Sequence, residues 1–371
     1  MKGKRNLQRS LAVMGLSLAL LSGTAVVQPQ TAEAISLGDI GGLAQVGIQY
    51  KAARDQLKKQ VDTLNLTSEG SYYMLANYKQ QVGVDHDPAM NRRLANMMQT
   101  LTAAVRSVDP SIDKQPYKYF LNPDRSFNAF CGMGHVMSVN RGAFEFVAAD
   151  DELAFVVGHE MGHGQKAHAA KGVLKAADKQ LIASIASASL GGTQLTNTIA
   201  GMGLKISKAH STKDREWEAD DLAWEYITHT NYNIGAGAAV WQRMLDKSGN
   251  NAQKGADMWF NPSDHPNNAA RRDNYVKKLT AYSGKHVTNK DGVVMVNGKK
   301  FVKPAAAGGM SSRERSYFVM GNLAAAYHNG HNKAGATVNG NTVMLGAQPI
   351  LTCAAGDESA RTLADRLNSI K

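Results

Sequence analysis

The sequence predicts an α+β fold in two parts: a mainly helical larger domain with a small antiparallel sheet, and a small C-terminal α+β domain. Apolar residues recur at helical spacing through most of the first 280 residues or so, broken by one aromatic and β-branched block around "SFNAFCGMGHVMSVNRGAF". Beyond about residue 285 the texture changes to Asn-Gly turns between alternating apolar residues. With 371 residues, 43% hydrophobic and 20% charged, the chain can bury a sizeable core and is neither fibrous nor disordered.

At the N-terminus "MKGKRNLQRS" is a basic start, "LAVMGLSLALL" an apolar run short for a bilayer, and "TAEA" a small-x-small site. Residues 1–34 are therefore expected to be a signal peptide cleaved after Ala34, leaving a mature chain from Ile35. The alternative is an uncleaved N-terminal anchor, and both readings favour export to the periplasm or the extracellular space. Cleavage removes Lys2, Lys4, Arg5, Arg9 and Glu33, which lowers the formal charge from +11 to +8. A basic exported chain can associate peripherally with an anionic membrane surface. No basic array interleaved with aromatics occurs, so nucleic acid is not an expected partner. Cys131 and Cys353 are the only cysteines. In an oxidising compartment they either form a disulfide or remain two separate buried thiols.

In chain order, "QYKAARDQLKKQVDTLN" and "MNRRLANMMQTLTAAV" read as amphipathic helices, and "YKYFL" and the aromatic block as strands. Asp150 and Asp151 then offer an N-cap and first-turn charge to a largely buried helix. The uncharged stretch from Leu181 to Leu204 is rich in Ser, Thr and Gly, which argues for packed small-residue helices or a cleft-covering segment over a membrane span. Helices follow at "DREWEADDLAWEYITHT" and "AAVWQRML", then a Pro- and Asn-rich loop that leads into "NAARRDNYVKKL". The C-terminal domain, expected over 285–371, holds "VVMVNGKKFV" and "ATVNGNTVML", each followed by a helical pattern, a weakly repeated strand-strand-helix unit.

The chemistry centres on "GHEMGH". Four residues apart on a helix, His159 and His163 lie one above the other and can converge on one ion at about 2.0–2.1 Å, with Glu160 beside them as a base. A catalytic zinc needs a third protein ligand and an open position. Lys166 and Ala169 stand where a metzincin would have its glycine and third histidine, which excludes that class. In "DREWEAD", Glu216 and Asp220 share a helix face, with Ala219 small enough for close packing and Glu218 pointing elsewhere. Glu216 can be a ligand and Asp220 can fix a ligand histidine's tautomer. Alternatively these acids form a solvated face with Lys213 and Arg215.

HExxH, the later "EWEAD" and then "HPNNAAR" together resemble the HtpX and CAAX-prenyl-protease family of zinc peptidases, metallopeptidase family 48, in its soluble exported branch. The resemblance covers residues 45 to 282 or thereabouts and implies a gluzincin-like zincin domain binding one Zn2+ through His159, His163 and Glu216. Glu160 would be the general base and Asp220 a support for a ligand. His265 and Arg271 match positions beside the metal that stabilise the oxyanion or close the open coordination position. On its own residues, His265 could equally cap a helix before Pro266. A substrate strand would add to the edge strand at Asn128, Ala129 and Phe130. The expected activity is a zinc metalloendopeptidase acting on unfolded or misassembled envelope polypeptides, with outer-membrane assembly proteins among its partners. The competing expectation is a latent or non-enzymatic, chaperone-like zinc protein of the envelope.

Overall fold

The computed structural model describes residues 37–187, 190–208, 212–248 and 267–371. The predicted leader and His265 therefore lie outside the described residues. The chain divides into residues 1–49 and residues 50–371. Of the first unit, residues 37–49 are described, as the start of a helix.

Helices α1 (Leu37–Leu66), α2 (Ser68–Val82) and α3 (Pro88–Val108) lead to three strands, β1 (Lys118–Asn122), β2 (Ala129–Gly132) and β3 (Val136–Asn140). Helix α3 starts where Asp87 accepts the N–H groups of Ala89 and Met90, with Pro88 in the first turn, where its missing N–H costs nothing. Five helices follow: α4 (Arg141–Phe146), α5 (Asp150–Gln165), α6 (His168–Ala176), α7 (Lys179–Ala186) and α8 (Gly192–Lys208). Next come α9 (Lys213–Thr228), α10 (Ala236–Ser248) and α11 (Asn268–Tyr282). Among the described residues, no helix is long and apolar enough to cross a membrane.

The sheet has the order β1-β3-β2 and is mixed, which corrects the antiparallel expectation. Gly134 at φ +74° reverses the chain between β2 and β3, so these two run antiparallel. Strand β3 thereby enters between β2 and β1 and runs parallel to β1. Side chains alternate across the sheet and both faces are buried. Phe120, Phe130 and Val136 pack with Leu57, Met74, Val173 and Ile199, in a core that includes α8. Leu121, Ala129, Cys131, Met137 and Val139 pack on the other face with Leu101, Leu153 and Val157. Strand β2 is an edge strand lying between α5 and α8.

The C-terminal residues form two copies of one three-strand-plus-helix unit. The first is β4 (Val287–Lys290), β5 (Val293–Val296), β6 (Lys299–Val302) and α12 (Ser312–His328). The second is β7 (Ala336–Asn339), β8 (Thr342–Leu345), β9 (Gln348–Thr352) and α13 (Ala360–Ile370). Val287 pairs with Val296 as Ala336 pairs with Leu345, an offset of 49 residues. The same offset relates the bulges at Val294/Met295 and Val343/Met344. Each helix packs on its own first two strands and on the third strand of the other copy: α12 on β4, β5 and β9, and α13 on β7, β8 and β6. The expected strand-strand-helix repeat is thus three-stranded, with the copies interlocked. The two Asn-Gly pairs do not occupy equivalent turns: Asn297-Gly298 joins β5 to β6, whereas Asn339-Gly340 joins β7 to β8.

Packing is continuous across residues 284 and 285. Tyr275 and Leu279 of α11 share one core with Val287, Phe301, Leu323, Val343 and Leu363. Buried Arg243 of α10 bridges Glu152 of α5 at 3.2 Å and Glu314 of α12 at 2.9 Å. The disulfide alternative is corrected: both cysteines are free thiols. Cys131 is enclosed under α5, so close that a Cβ on Gly164 would lie 2.7 Å from its sulfur. Cys353 continues from β9, where its N–H bonds to Asn341 O at 2.8 Å.

Candidate metal centre

Helix α5 is positioned at its start by Glu152, whose carboxylate accepts the N–H groups of Ala148 at 2.7 Å and Ala149 at 3.2 Å. The N-cap is therefore Ala149, and not an aspartate as the sequence suggested; Asp150 and Asp151 lie in the first turn, where negative charge favours the helix dipole. Three turns on, α5 meets α9 at very close range. A Cβ on Gly162 would lie 3.1 Å from Ala219 Cα, so glycine facing alanine allows the backbones to approach.

That approach brings Glu216 to the histidine pair. His159 Nε2 and His163 Nε2 are 3.1 Å apart, and Glu216 carboxylate oxygens lie 3.4 Å from the first and 3.3 Å from the second. Ligands of a tetrahedral ion with bonds of about 2.0–2.1 Å are separated by about 3.3–3.4 Å, so three imidazole and carboxylate donors at this spacing fit zinc. Glu160 also brings an oxygen close to both histidines, but it accepts the Cys131 N–H at 3.1 Å. Its carboxylate is thus docked on the edge strand. Burial raises the Glu160 pKa above the ordinary carboxylate value.

Behind His159, Asp220 Oδ1 lies 2.9 Å from Nδ1. Asp220 is fully buried and is gripped by both arms of Arg271, with Nε to Oδ2 at 2.7 Å and Nη2 to Oδ1. Burial pushes Asp220 up, but Arg271 and His159 outweigh it and hold the carboxyl near 2. Burial and the Arg271 charge depress His159, yet its hydrogen bonds to Asp220 and Glu216 carry it to about 9. Arg271 stacks on Trp241 at 3.7 Å and is itself fully buried. Arg271 also approaches the candidate ligands themselves, with Nη2 3.5 Å from His159 Nε2 and Nη1 3.6 Å from Glu216 Oε2, while its paired hydrogen bonds go to Asp220. The physical reason is that a buried carboxylate needs a charged, forked partner.

Sequence reasoning missed His168. Ala167 adopts a left-handed conformation (φ 50°, ψ 40°), which ends α5 and turns the chain back, so that His168 opens α6 against His163. The two Nδ1 atoms are 2.7 Å apart, and His168 Nε2 lies 3.0 Å from Glu218 Oε2. Burial, His163 and Arg215 lower His168 to about 4. Glu218, pointing away from the ligand set as expected, also pairs with Lys166 at 3.0 Å. The one signal in the sequence was a further histidine in "GHEMGHGQKAH", and helical spacing from His163 would not place it there.

At the edge strand, Asn140 N–H bonds to Asn128 O at 3.0 Å, which ties Asn128 to β3. By antiparallel alternation, Ala129 and Cys131 turn their backbone groups away from β3, towards the ligand set. Phe130 is buried in the opposite core, against the side of α8.

The family model described as Peptidase family M48 matches residues 88–279. A putative beta-barrel assembly-enhancing protease of Vibrio cholerae is 25% identical over 174 residues, 44% of this chain and 34% of the relative. Metalloprotease LoiP of Escherichia coli K12 is 27% identical over 184 residues, 49% of this chain and 70% of the relative. The beta-barrel assembly-enhancing protease of the same strain is 23% identical over 202 residues, 50% and 39% of the two chains. Against the two assembly-enhancing proteases, then, the match spans little more than a third of the relative's length.

Proposed function

Because the chain belongs to peptidase family M48, we propose that it is a zinc-dependent metalloendopeptidase exported with a cleaved signal peptide and acting on unfolded or misassembled envelope proteins. The observation that carries this reading is the set of donors from His159, His163 and Glu216, 3.1–3.4 Å apart, with the Glu160 carboxylate beside them. These three residues would hold one zinc ion, whose chemistry is to polarise the scissile carbonyl and acidify the attacking water.

The remaining work falls to the chain. Glu160 takes the proton from the attacking water and passes it to the leaving amine, and its raised pKa suits a group that must both accept and release. Asp220, held by Arg271, accepts from His159 Nδ1–H and so presents Nε2 to the ion. A substrate strand adds to β2 at Asn128, Ala129 and Phe130, so that main-chain pairing gives register with little demand on side chains. His265 is assigned to the oxyanion on the strength of the sequence motif alone. Two relatives are named for enhancing beta-barrel assembly, which supports beta-barrel proteins of the envelope as substrates.

The test is casein hydrolysis by the chain from Ile35 beside Glu160→Gln, at equal measured zinc content. Loss of a general base predicts a rate lower by about 10²-fold or more with zinc retained. If neither protein cuts while both hold zinc, the site is latent or structural.

A further inference from the structure

His163, His168, Glu218 and Lys166 form a continuous polar chain that leads from the ligand set to the surface. His163 points Nε2 at His159 and Glu216, so its other nitrogen, Nδ1, faces His168. A ligand imidazole that offers Nε2 as a lone pair carries its proton on Nδ1. Because the two Nδ1 atoms are 2.7 Å apart, His168 must then present an unprotonated Nδ1 to accept that proton's hydrogen bond. Its own proton sits on Nε2, which lies 3.0 Å from Glu218 Oε2 and donates to it. Each imidazole N–H then meets one acceptor, with both rings neutral.

Resting on the zinc reading above, we infer that His168 is a positioning residue for the ion: it fixes the tautomer and ring orientation of His163, and Glu218 fixes His168 in turn. The two ligand histidines are thereby held by different devices. His159 donates to a fully buried carboxylate locked by Arg271, whereas His163 donates to a neutral imidazole whose anchor, Glu218, is 41% exposed. The His163 side is the one that solvent reaches, and its orientation depends on a single buried ring. His168 touches neither substrate nor ion, so its loss acts through the affinity of the site for metal.

The experiment compares wild type, His168→Leu and His168→Gln by chelator competition for zinc, with thermal unfolding of the metal-free proteins as a control. Leucine fills the space but cannot accept from His163 Nδ1–H. Glutamine can accept through its oxygen and donate to Glu218 through its nitrogen. The expected result is zinc affinity about 10–100-fold weaker in His168→Leu, largely restored in His168→Gln, with metal-free unfolding temperatures alike. Wild-type affinity in His168→Leu overturns the positioning role while leaving the zinc reading intact. A lower metal-free unfolding temperature that accounts for the loss, with no rescue by glutamine, also overturns it in favour of plain packing. Failure of the wild type itself to bind zinc overturns the zinc reading and this inference with it.

Discussion

Arg271 shows how much of this site depends on one side chain. Its guanidinium is fully buried, grips Asp220 with two nitrogens and stacks on Trp241. Breaking a buried ion pair by removing one partner leaves an uncompensated charge, so Arg271→Ala should cost about 3–5 kcal/mol in urea unfolding of the zinc-free chain. Arg271→Lys should restore little of it, because an ammonium cannot fork onto the carboxylate or lie flat on the indole. Full stability in Arg271→Ala would contradict the assignment of Asp220 as a charged anchor. The cysteines give a second check at this scale: non-reducing and reducing mass maps of the folded protein should be identical, with two free thiols per chain.

Among the elements, the contact of α5 with α9 and the interlocking of the two repeats each rest on a specific residue. Gly162 faces Ala219 so closely that a methyl group at residue 162 needs the helices to part by a few tenths of an ångström. Since Glu216 reaches the histidines from α9, Gly162→Ala should weaken zinc binding in chelator competition more than it lowers the unfolding temperature. In the repeats, Asp357 accepts the N–H groups of Ala305 and Ala354 and pairs with Arg315 of α12 at 2.8 Å. Burial pushes this carboxyl up, but Arg315 and the two N–H groups outweigh it and hold it below the usual aspartate value. A carboxyl depressed in the folded state adds stability that is complete above its unfolded pKa of about 3.9 and is lost as pH falls through the folded value. Asp357→Asn should therefore be less stable at neutral pH and show a shallower loss of stability below about pH 4, read by urea unfolding against pH.

For residues 50–371 taken together, the C-terminal repeats are part of the core beside the candidate metal centre. One hydrophobic cluster runs from Leu94 through Leu153 and Tyr275 to Phe301, Leu323 and Leu363. Arg243 adds a polar tie, because its two carboxylate partners lie in α5 and α12. A chain cut after residue 284 would expose the apolar face of α11 and leave Arg243 with half of its compensation. We expect such a truncation to lose cooperative unfolding, whereas a freestanding C-terminal domain would leave the remainder folded; circular dichroism melts of the two lengths decide this. The candidate metal centre is consequently expected to respond to mutations in the repeats even though none of their residues reaches it.

What the sequence determined by itself is whatever depends on local period and chemistry. Four-residue spacing puts His159 and His163 on one helix face, and the same spacing in "EWEAD" sends Glu216 and Asp220 one way and Glu218 another. Strand alternation and turn residues marked the sheet and the C-terminal hairpins in the same manner. Tertiary structure alone decided the features that join residues distant in sequence or divided by an irregular backbone. The left-handed Ala167 brought His168 onto His163, and insertion of β3 between its neighbours made the sheet mixed. The three-stranded repeat was obscured because the Asn-Gly pairs at Asn297 and Asn339 fall at different turns, and its continuity with the core beneath the candidate site because the helices exchange strands between copies. Arg271 is the clearest case: its sequence motif pointed to a place beside the metal, and only the packing of α11 on the core shows that its guanidinium also forks onto the fully buried Asp220.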